Sequence, residues 1–469
     1  MKRLYQICFF LVSSVLVIAC RSSHLEIFPE LTDSSLLEKK LTVAEMREDV
    51  EAFYLGALER HPALDHYTDL QELEEAVRDL QLQISDSMNR LHFYRVVGQL
   101  AHKFNDGHSF LIWPYQEYEK LIASGKKPFP LAVTLTPDGS IVTKNTYING
   151  RQSVPAGARI TGINGQSIQT LMDHMQKFAG GESRFLREQI ITKRFGVMLW
   201  AVFGFIDDFE LKWQEPVSRS NHTTQLLSKQ NWHLQDEIIN GRQDFYFKVI
   251  SDDTAYLHIG SFDVGLDWFS EFIDQAFTDI KNRKITCLII DLRENLGGNT
   301  DSATYLLSYI AHKEFRMISY MTEKLNQQNR GLFNYKGKAG ELIQYDWDEW
   351  HRPIDNNNLF EGEVYILISP VTYSAAIVFS SAAQDHRFAT LIGQKTEGYS
   401  NQTAQGNLFN LPHSQLRAYI TTRKLVRPNG DDKVSGVIPD IPVTPDAEAI
   451  AAGYDLAINK VLSLRNSAD

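Results

Sequence analysis

Two hydrophobic periods divide the chain. Across residues 42–61, Val50, Phe53, Tyr54, Ala57 and Leu58 recur at helical spacing, and Thr42 with Glu45 three positions later forms a capping-box signal. Residues 70–84 and 89–104 repeat the amphipathic pattern, so residues 41–125 predict a helical N-terminal domain. The pattern stops at the turn signal Asn105-Asp106-Gly107, and the apolar run 110–113 after His108 predicts a strand.

From residue 126 the texture changes to short strands and turns. Residues 131–135 form an apolar run, Pro137-Asp138-Gly139 turns it, and Asn164-Gly165 is a tight turn between strands. Residues 167–175 predict a helix, and an aromatic-rich stretch, 195–209, closes the region. The polar segment 218–230 is the only stretch that reads as a linker. These residues, 126–235, form a small β-rich domain.

The third domain, 243–463, alternates strands and helices, which argues for an α/β core with parallel pairing. Residues 254–259 predict a strand, 268–280 a helix, 287–291 a buried strand running into the glycine turn Asn295-Leu296-Gly297-Gly298, and 301–311 a helix. The turn lacks both G-x-G-x-x-G and a Walker lysine, which argues against a nucleotide. Residues 320–360, polar and aromatic, read as an excursion of this domain. The β-branched run 364–368 predicts another strand, Ser369-Pro370 breaks it, and small and apolar residues at helical spacing follow over 374–385.

Ser374 therefore sits where a strand has turned into a helix. A hydroxyl there lies beside free backbone N–H groups and the positive end of a helix dipole, the setting in which a serine nucleophile and its oxyanion are stabilised. A serine at a helix start also serves simply as a cap, so the rest of the chain has to decide between the two.

Composition narrows the function. A formal net charge of −11 argues against nucleic acid, which needs a basic face. Lys2 and Arg3 precede a short apolar core ending at Ala19-Cys20, which resembles a bacterial lipoprotein signal over residues 1–19. Cleavage would leave Cys20 for lipidation, residues 20–40 as a tether, and a membrane anchor in the cell envelope. An ordinary secretory signal is the alternative. With Cys8 and Cys20 spent there, Cys287 is left as a small core residue and no disulfide framework exists.

Four features in chain order now resemble one family. They are a glycine, strand and Ile163-Asn164-Gly165 turn like that of a PDZ domain; Asp291-Leu292-Arg293 with Asn295 and Gly297-Gly298; Thr372-Tyr373-Ser374-Ala375-Ala376; and the closing run Gly436-Val437-Ile438-Pro439-Asp440. Together they resemble the C-terminal-processing peptidases, or tail-specific proteases, over about residues 100–445. The resemblance implies a ClpP/crotonase-like catalytic core, a peptide or protein substrate and no metal or cofactor. It leaves the oligomeric state open.

The resemblance assigns the nucleophile to Ser374. Where the best-known branch has a lysine, this chain has Tyr399, and Lys395 does not match that position. Asp106-Gly107-His108 instead resembles the histidine motif of the lysine-less, tricorn-core-like branch, as does Leu411-Pro412-His413-Ser414. His108 would then be the general base, whose imidazole titrates near neutrality. The family's acid before the closing run points to Asp432, with Asp431 as the alternative. The oxyanion hole would come from the N–H groups of Ala375 and Gly297. Two main functions remain, a lipid-anchored serine endopeptidase or an inactive peptide- or small-ligand-binding protein on the same scaffold; hydrolysis of a non-peptide acyl substrate by the same residues is a third.

Overall fold

The computed structural model describes residues 28–31, 33–235, 244–331, 334–355, 357–444 and 454–466. The leader, Cys20 and the start of the tether lie outside the described residues. A six-stranded sheet forms the centre of the third domain. Its order is Phe245–Val249, Thr254–Ile259, Cys287–Asp291, Glu363–Ile368, Thr390–Gly393 and Ile441–Pro442. The first pair is antiparallel and the others are parallel. The strands Thr254–Ile259 and Cys287–Asp291 are buried along their whole length, which is why they read as continuous apolar runs rather than alternating ones. Helices Leu266–Asn282, Thr300–Ser308 and Ala375–Asp385 supply the crossovers. Cys287 is buried and free.

The helical expectation holds at the N-terminus. Helix Val43–Arg60 starts with Thr42 and Glu45 in a reciprocal capping box. Helix Leu70–Gln83 and the pair Arg90–Val97 and Gly98–Phe104, the latter 3₁₀, follow. The next region is β-rich, in the order Asn221–Leu226, Phe209–Gln214, Arg159–Ile163, Ile141–Thr143, Val133–Leu135. Here the structure corrects the linker reading of 218–230. Residues Asn221–Leu226 pair antiparallel with Phe209–Gln214, burying Thr224 and Leu226 while the intervening side chains face water. The polar composition is that of a sheet with one wet face.

A second, antiparallel sheet joins the ends of the chain. The long strand Arg417–Val426 carries Thr403–Asn410 on one edge. On its other edge it carries both Tyr320–Lys324, from the 320–360 excursion, and Ser109–Leu111. The excursion is therefore partly a sheet element, extended by Leu342–Asp346. Ser109–Leu111 registers as Ile420 opposite Ser109 and Ala418 opposite Leu111. This pairing brings His108 into the third domain.

Buried polar groups lock the helical region to that sheet. Fully buried Asp49 accepts from His413 N at 2.8 Å and Ser414 N at 2.7 Å, and Arg90 donates to the Ser414 carbonyl at 2.6 Å. The Leu411-Pro412-His413-Ser414 turn is thus a docking point for the N-terminal helices. Asp49→Ala leaves two buried N–H groups without an acceptor and is expected to cost about 2–4 kcal/mol. Asp49→Asn, which keeps one acceptor oxygen, should lose less, and thermal unfolding of the two variants reads the order directly.

Candidate active site

Ser374 caps the helix Ala375–Asp385 without donating or accepting a cap bond, so the capping alternative fails at its own test. Its backbone sits at φ +52°, ψ −122°, where L side chains are rarely found. The neighbours hold it there. The Ser374 carbonyl accepts from Ile377 N at 2.9 Å, Val378 N at 3.1 Å and Gln402 Nε2 at 2.8 Å. Just before it, Tyr373 N donates to the Asn295 carbonyl at 3.0 Å and Thr372 Oγ1 to the Leu292 carbonyl at 2.9 Å. The glycine turn therefore binds the strand–helix corner through backbone and side-chain bonds. Upstream, buried Asp291 ties that turn down by accepting from Arg293, which in turn reaches Asp455.

His108 Nε2 lies 3.0 Å from Ser374 Oγ. The surroundings of its other ring nitrogen settle the tautomer. Thr403 Oγ1 at 3.2 Å and Tyr373 Oη at 3.3 Å both face Nδ1. The Thr403 hydroxyl donates onward to Asp106 Oδ1 at 2.6 Å, and Tyr373 donates to Glu182 Oε1 at 3.1 Å. Both oxygens have spent their protons elsewhere, so they accept from Nδ1–H and leave Nε2 bare toward the serine. The His108 ring also stacks on Tyr373, centroids 5.1 Å apart. Gly107 makes this possible: a Cβ there would stand 2.3 Å from Tyr373 Oη.

Asp106 anchors the group. It is fully buried and accepts from Thr403, from His108 N at 3.1 Å and from Ser109 Oγ at 2.6 Å, while His61 Nε2 stands 3.2 Å from Oδ2. His61 Nδ1 accepts from Ala63 N, so its proton is on Nε2, facing the carboxylate. Burial alone would raise the Asp106 pKa, but His61, His108 and Ser109 outweigh it and hold the carboxylate ionised far below its ordinary range. Burial dominates at His108 and lowers its pKa, opposed by the Asp106 charge and reinforced by His61. Glu182 goes the other way: burial and then repulsion from Asp106 push its carboxyl well above the usual range.

Ala375, the first residue of the helix, has an N–H with no acceptor inside the helix. Gly297 lies against the serine, where an added Cβ would come within 2.5 Å of Ser374 Cβ. Its N–H, however, donates to Asn295 Oδ1 at 2.8 Å, so the donor expected of Gly297 is already engaged. Gly298 pairs with Phe262 through its neighbours' backbone groups, Gly297 O and Asn299 N, which turns its own N–H away from that strand.

The structure brings Ser374, His108, Ala375 and Gly297 together but not Asp432. That carboxylate is half exposed and pairs with Lys424 at 2.7 Å, while the groups facing Nδ1 are Thr403, Tyr373 and, at 3.9 Å, Asp106. Asp431, the alternative, accepts from Lys433 N on the surface. Lys395 is exposed, and Tyr399 packs on Tyr67 at 5.3 Å. Sequence reasoning missed Thr403, Glu182, His61 and Gln402, which carry no local motif. Asp106 was visible only as part of the turn before His108.

The chain is similar to known peptidases. Residues 253–443 match the family model Peptidase family S41. The chain is 28% identical over 214 residues to the tail-specific protease of Haemophilus influenzae, covering 44% of this chain and 27% of that protein. It is 25% identical over 210 residues to the carboxy-terminal-processing protease of Bartonella bacilliformis, covering 42% and 43%. The matched stretch thus spans less than half the length of either relative. Among solved structures, mature CPAF complexed with lactacystin superposes with a TM-score of 0.62 at 14% identity, covering 90% of this chain and 98% of that one, which shows a shared fold. Residues 253–443, which include Ser374 at the start of the helix Ala375–Asp385, are accordingly similar to the peptidase domain of family S41.

Proposed function

We propose that the chain is a serine endopeptidase in which Ser374 is the nucleophile and His108 the general base. The observation that carries this reading is the 3.0 Å contact between His108 Nε2 and Ser374 Oγ, made across 266 residues of sequence with the tautomer already set. Ser374 Oγ attacks the peptide carbonyl carbon while its proton passes to His108 Nε2. The Ala375 N–H and, on the glycine turn, that of Gly298 rather than Gly297 receive the oxyanion. When the C–N bond breaks, Nε2 returns the proton to the leaving amine and an acyl group stays on Oγ. Water, deprotonated by the same nitrogen, then releases it.

The acid in this reading is Asp106, acting through Thr403. The relay from Nδ1–H to Thr403 Oγ1 and on to Asp106 Oδ1 orients the ring and stabilises the imidazolium, the role Asp432 was expected to take. The leader sequence supports export and lipid anchoring through Cys20 in a bacterial cell envelope, and the Ile163-Asn164-Gly165 turn supports a PDZ-like role for residues 126–235 in holding peptides. Among the described residues no helix is long and apolar enough to cross a membrane.

A fluorophosphonate probe on the protein lacking residues 1–20 should label Ser374. Labelling should vanish in Ser374→Ala and fall strongly in His108→Ala, whereas Lys395→Ala should leave it intact. No labelling of the folded protein would favour the inactive binding scaffold instead. Thr403→Val should slow labelling about a hundredfold through loss of ring orientation, with Thr403→Ser restoring most of it and Asp432→Ala changing little.

The pH profile tests the electrostatics. Protonating His108 removes the base, so labelling should fall as pH drops through its folded pKa, an inflection below the ordinary value of about 6.5 because burial lowers it. Asp106→Asn deletes the charge that raises this pKa, so its inflection should lie lower still on a reduced plateau. A shift upward in that variant would refute the assigned role of the carboxylate.

A further inference from the structure

The site holds a second carboxyl group to which the steps above give no part. Glu182 lies between the 3₁₀ turn Gln176–Phe178 and the helix Arg184–Lys193. Its segment lies flush against the turn that carries His108: an added Cβ on Gly180 would stand 2.3 Å from the Asp106 carbonyl oxygen and 2.8 Å from that of Ser109. From the helix side, Arg187 donates to the Gly181 carbonyl at 2.8 Å and to Gln176 Oε1 at 2.9 Å. The backbone before Glu182 is therefore held in place, and the side chain reaches Tyr373, whose hydroxyl donates to Oε1 at 3.1 Å.

That hydroxyl endangers the base. A tyrosine oxygen carries one proton, and this oxygen stands 3.3 Å from His108 Nδ1. While the proton points to Glu182, the oxygen can only accept from Nδ1–H, and Nε2 stays bare toward Ser374. With no acceptor in place, the proton is free to turn to Nδ1. The ring hydrogen then belongs on Nε2, and the serine faces a donor instead of a base. Two hydroxyls flank Nδ1, and each needs a group to take its proton away from the ring. Asp106 does this for Thr403 at 2.6 Å, and Glu182 does it for Tyr373.

The two acceptors differ in charge. Glu182 Oε2 is sealed from water and has no hydrogen-bond partner among the described residues. An ionised oxygen left in that state costs more than a neutral O–H. The titratable groups facing this carboxyl are Tyr373, Asp106, Tyr67, Tyr399 and Arg187, whose guanidinium is spent on Gly181 and Gln176. Burial and the Asp106 charge prevail and push its pKa well up. A neutral Glu182 still accepts through Oε1, yet adds no second negative charge beside His108, where one would favour the imidazolium and spoil the base. We propose that Glu182 is a positioning residue for His108, a neutral acceptor that takes the Tyr373 proton and so keeps the imidazole in its basic tautomer. This inference rests on the peptidase reading above.

Rates of fluorophosphonate labelling at Ser374 test the role. Glu182→Leu leaves the tyrosine proton without an acceptor and should slow labelling roughly tenfold or more. Removing the hydroxyl as well should undo the damage. Glu182→Leu combined with Tyr373→Phe should label faster than Glu182→Leu alone, at the rate of Tyr373→Phe, because Thr403 still accepts from Nδ1–H. Glu182→Gln keeps a neutral acceptor, so it should lose far less than Glu182→Leu and keep the wild-type inflection on the acid side of its pH profile. A double variant no faster than folded Glu182→Leu makes the residue merely structural and overturns the proposal. So does a Glu182→Leu that labels like the wild type. A Glu182→Gln inflection that falls, as that of Asp106→Asn should, also overturns it, because Glu182 would then carry charge. If the leucine variants do not fold, the Glu182→Gln inflection decides alone. Absence of labelling in the folded wild type sinks the peptidase reading instead, whereas a labelled wild type with any of the overturning results sinks only this role.

Discussion

A single buried carboxylate organises the site. Asp106 is wholly removed from water, and an ionised carboxylate in that position is tolerated only if its lone pairs are filled. The groups that meet it come from three places in the chain: His108 N and Ser109 Oγ on its own turn and Thr403 at the start of a strand in the third domain donate to it, and His61 at the end of the first long helix stands within ion-pair distance. Satisfying one charge therefore forces three distant segments into register. The same bonds that stabilise the carboxylate aim the Nε2 of His108 at Ser374, so the cost of burying the charge and the orientation of the imidazole are one problem with one solution.

The second constraint lies on the serine side. Ser374 adopts a backbone conformation that its own side chain disfavours, and it is kept there by hydrogen bonds to its carbonyl and by the glycine turn packed against its Cβ. Gly297 matters here for its missing side chain more than for its N–H, which Asn295 has taken. The role of this glycine in the turn is thus mostly structural. Asn295 spans it with three contacts, through its carbonyl to Tyr373 N, through Nδ2 to the Ile259 carbonyl, and through Oδ1 to Gly297 N.

These two constraints explain what could be read from the sequence and what could not. Ser374 was legible because a β-branched run, a break and a helical run are local patterns with fixed periods. The parallel core was legible for the same reason, since its strands are buried on both faces. His108 was legible only through resemblance, because its partner lies in another domain. The sequence could not tell Asp432 from Asp106 because the two are equally polar residues in equally turn-like surroundings. What separates them is burial, and burial is set by Ser109–Leu111 pairing with Arg417–Val426, a contact between segments some three hundred residues apart. Thr403 was invisible because a threonine opening a strand has no signature of its own. The segment 218–230 failed differently: a strand with one wet face and few apolar residues has the composition of a linker.

The excursion at 320–360 belongs to the same argument. Its strand Tyr320–Lys324 lies along the edge of Arg417–Val426 that also carries Ser109–Leu111, so it extends the surface on which His108 is mounted. From that strand Lys324 Nζ donates to the carbonyls of Leu58 and His61 at 2.8 and 3.1 Å, gripping the C-terminal end of the helix that presents the His61 ring to Asp106. A segment on the outside of the core thus reaches His108 through Lys324, His61, Asp106 and Thr403 in turn. Each link in that series is a polar contact with at least one buried member, and breaking one leaves a desolvated group without its partner. The helical region, the excursion and the six-stranded core consequently cannot vary independently around the site: the geometry at Ser374 depends on all three being docked.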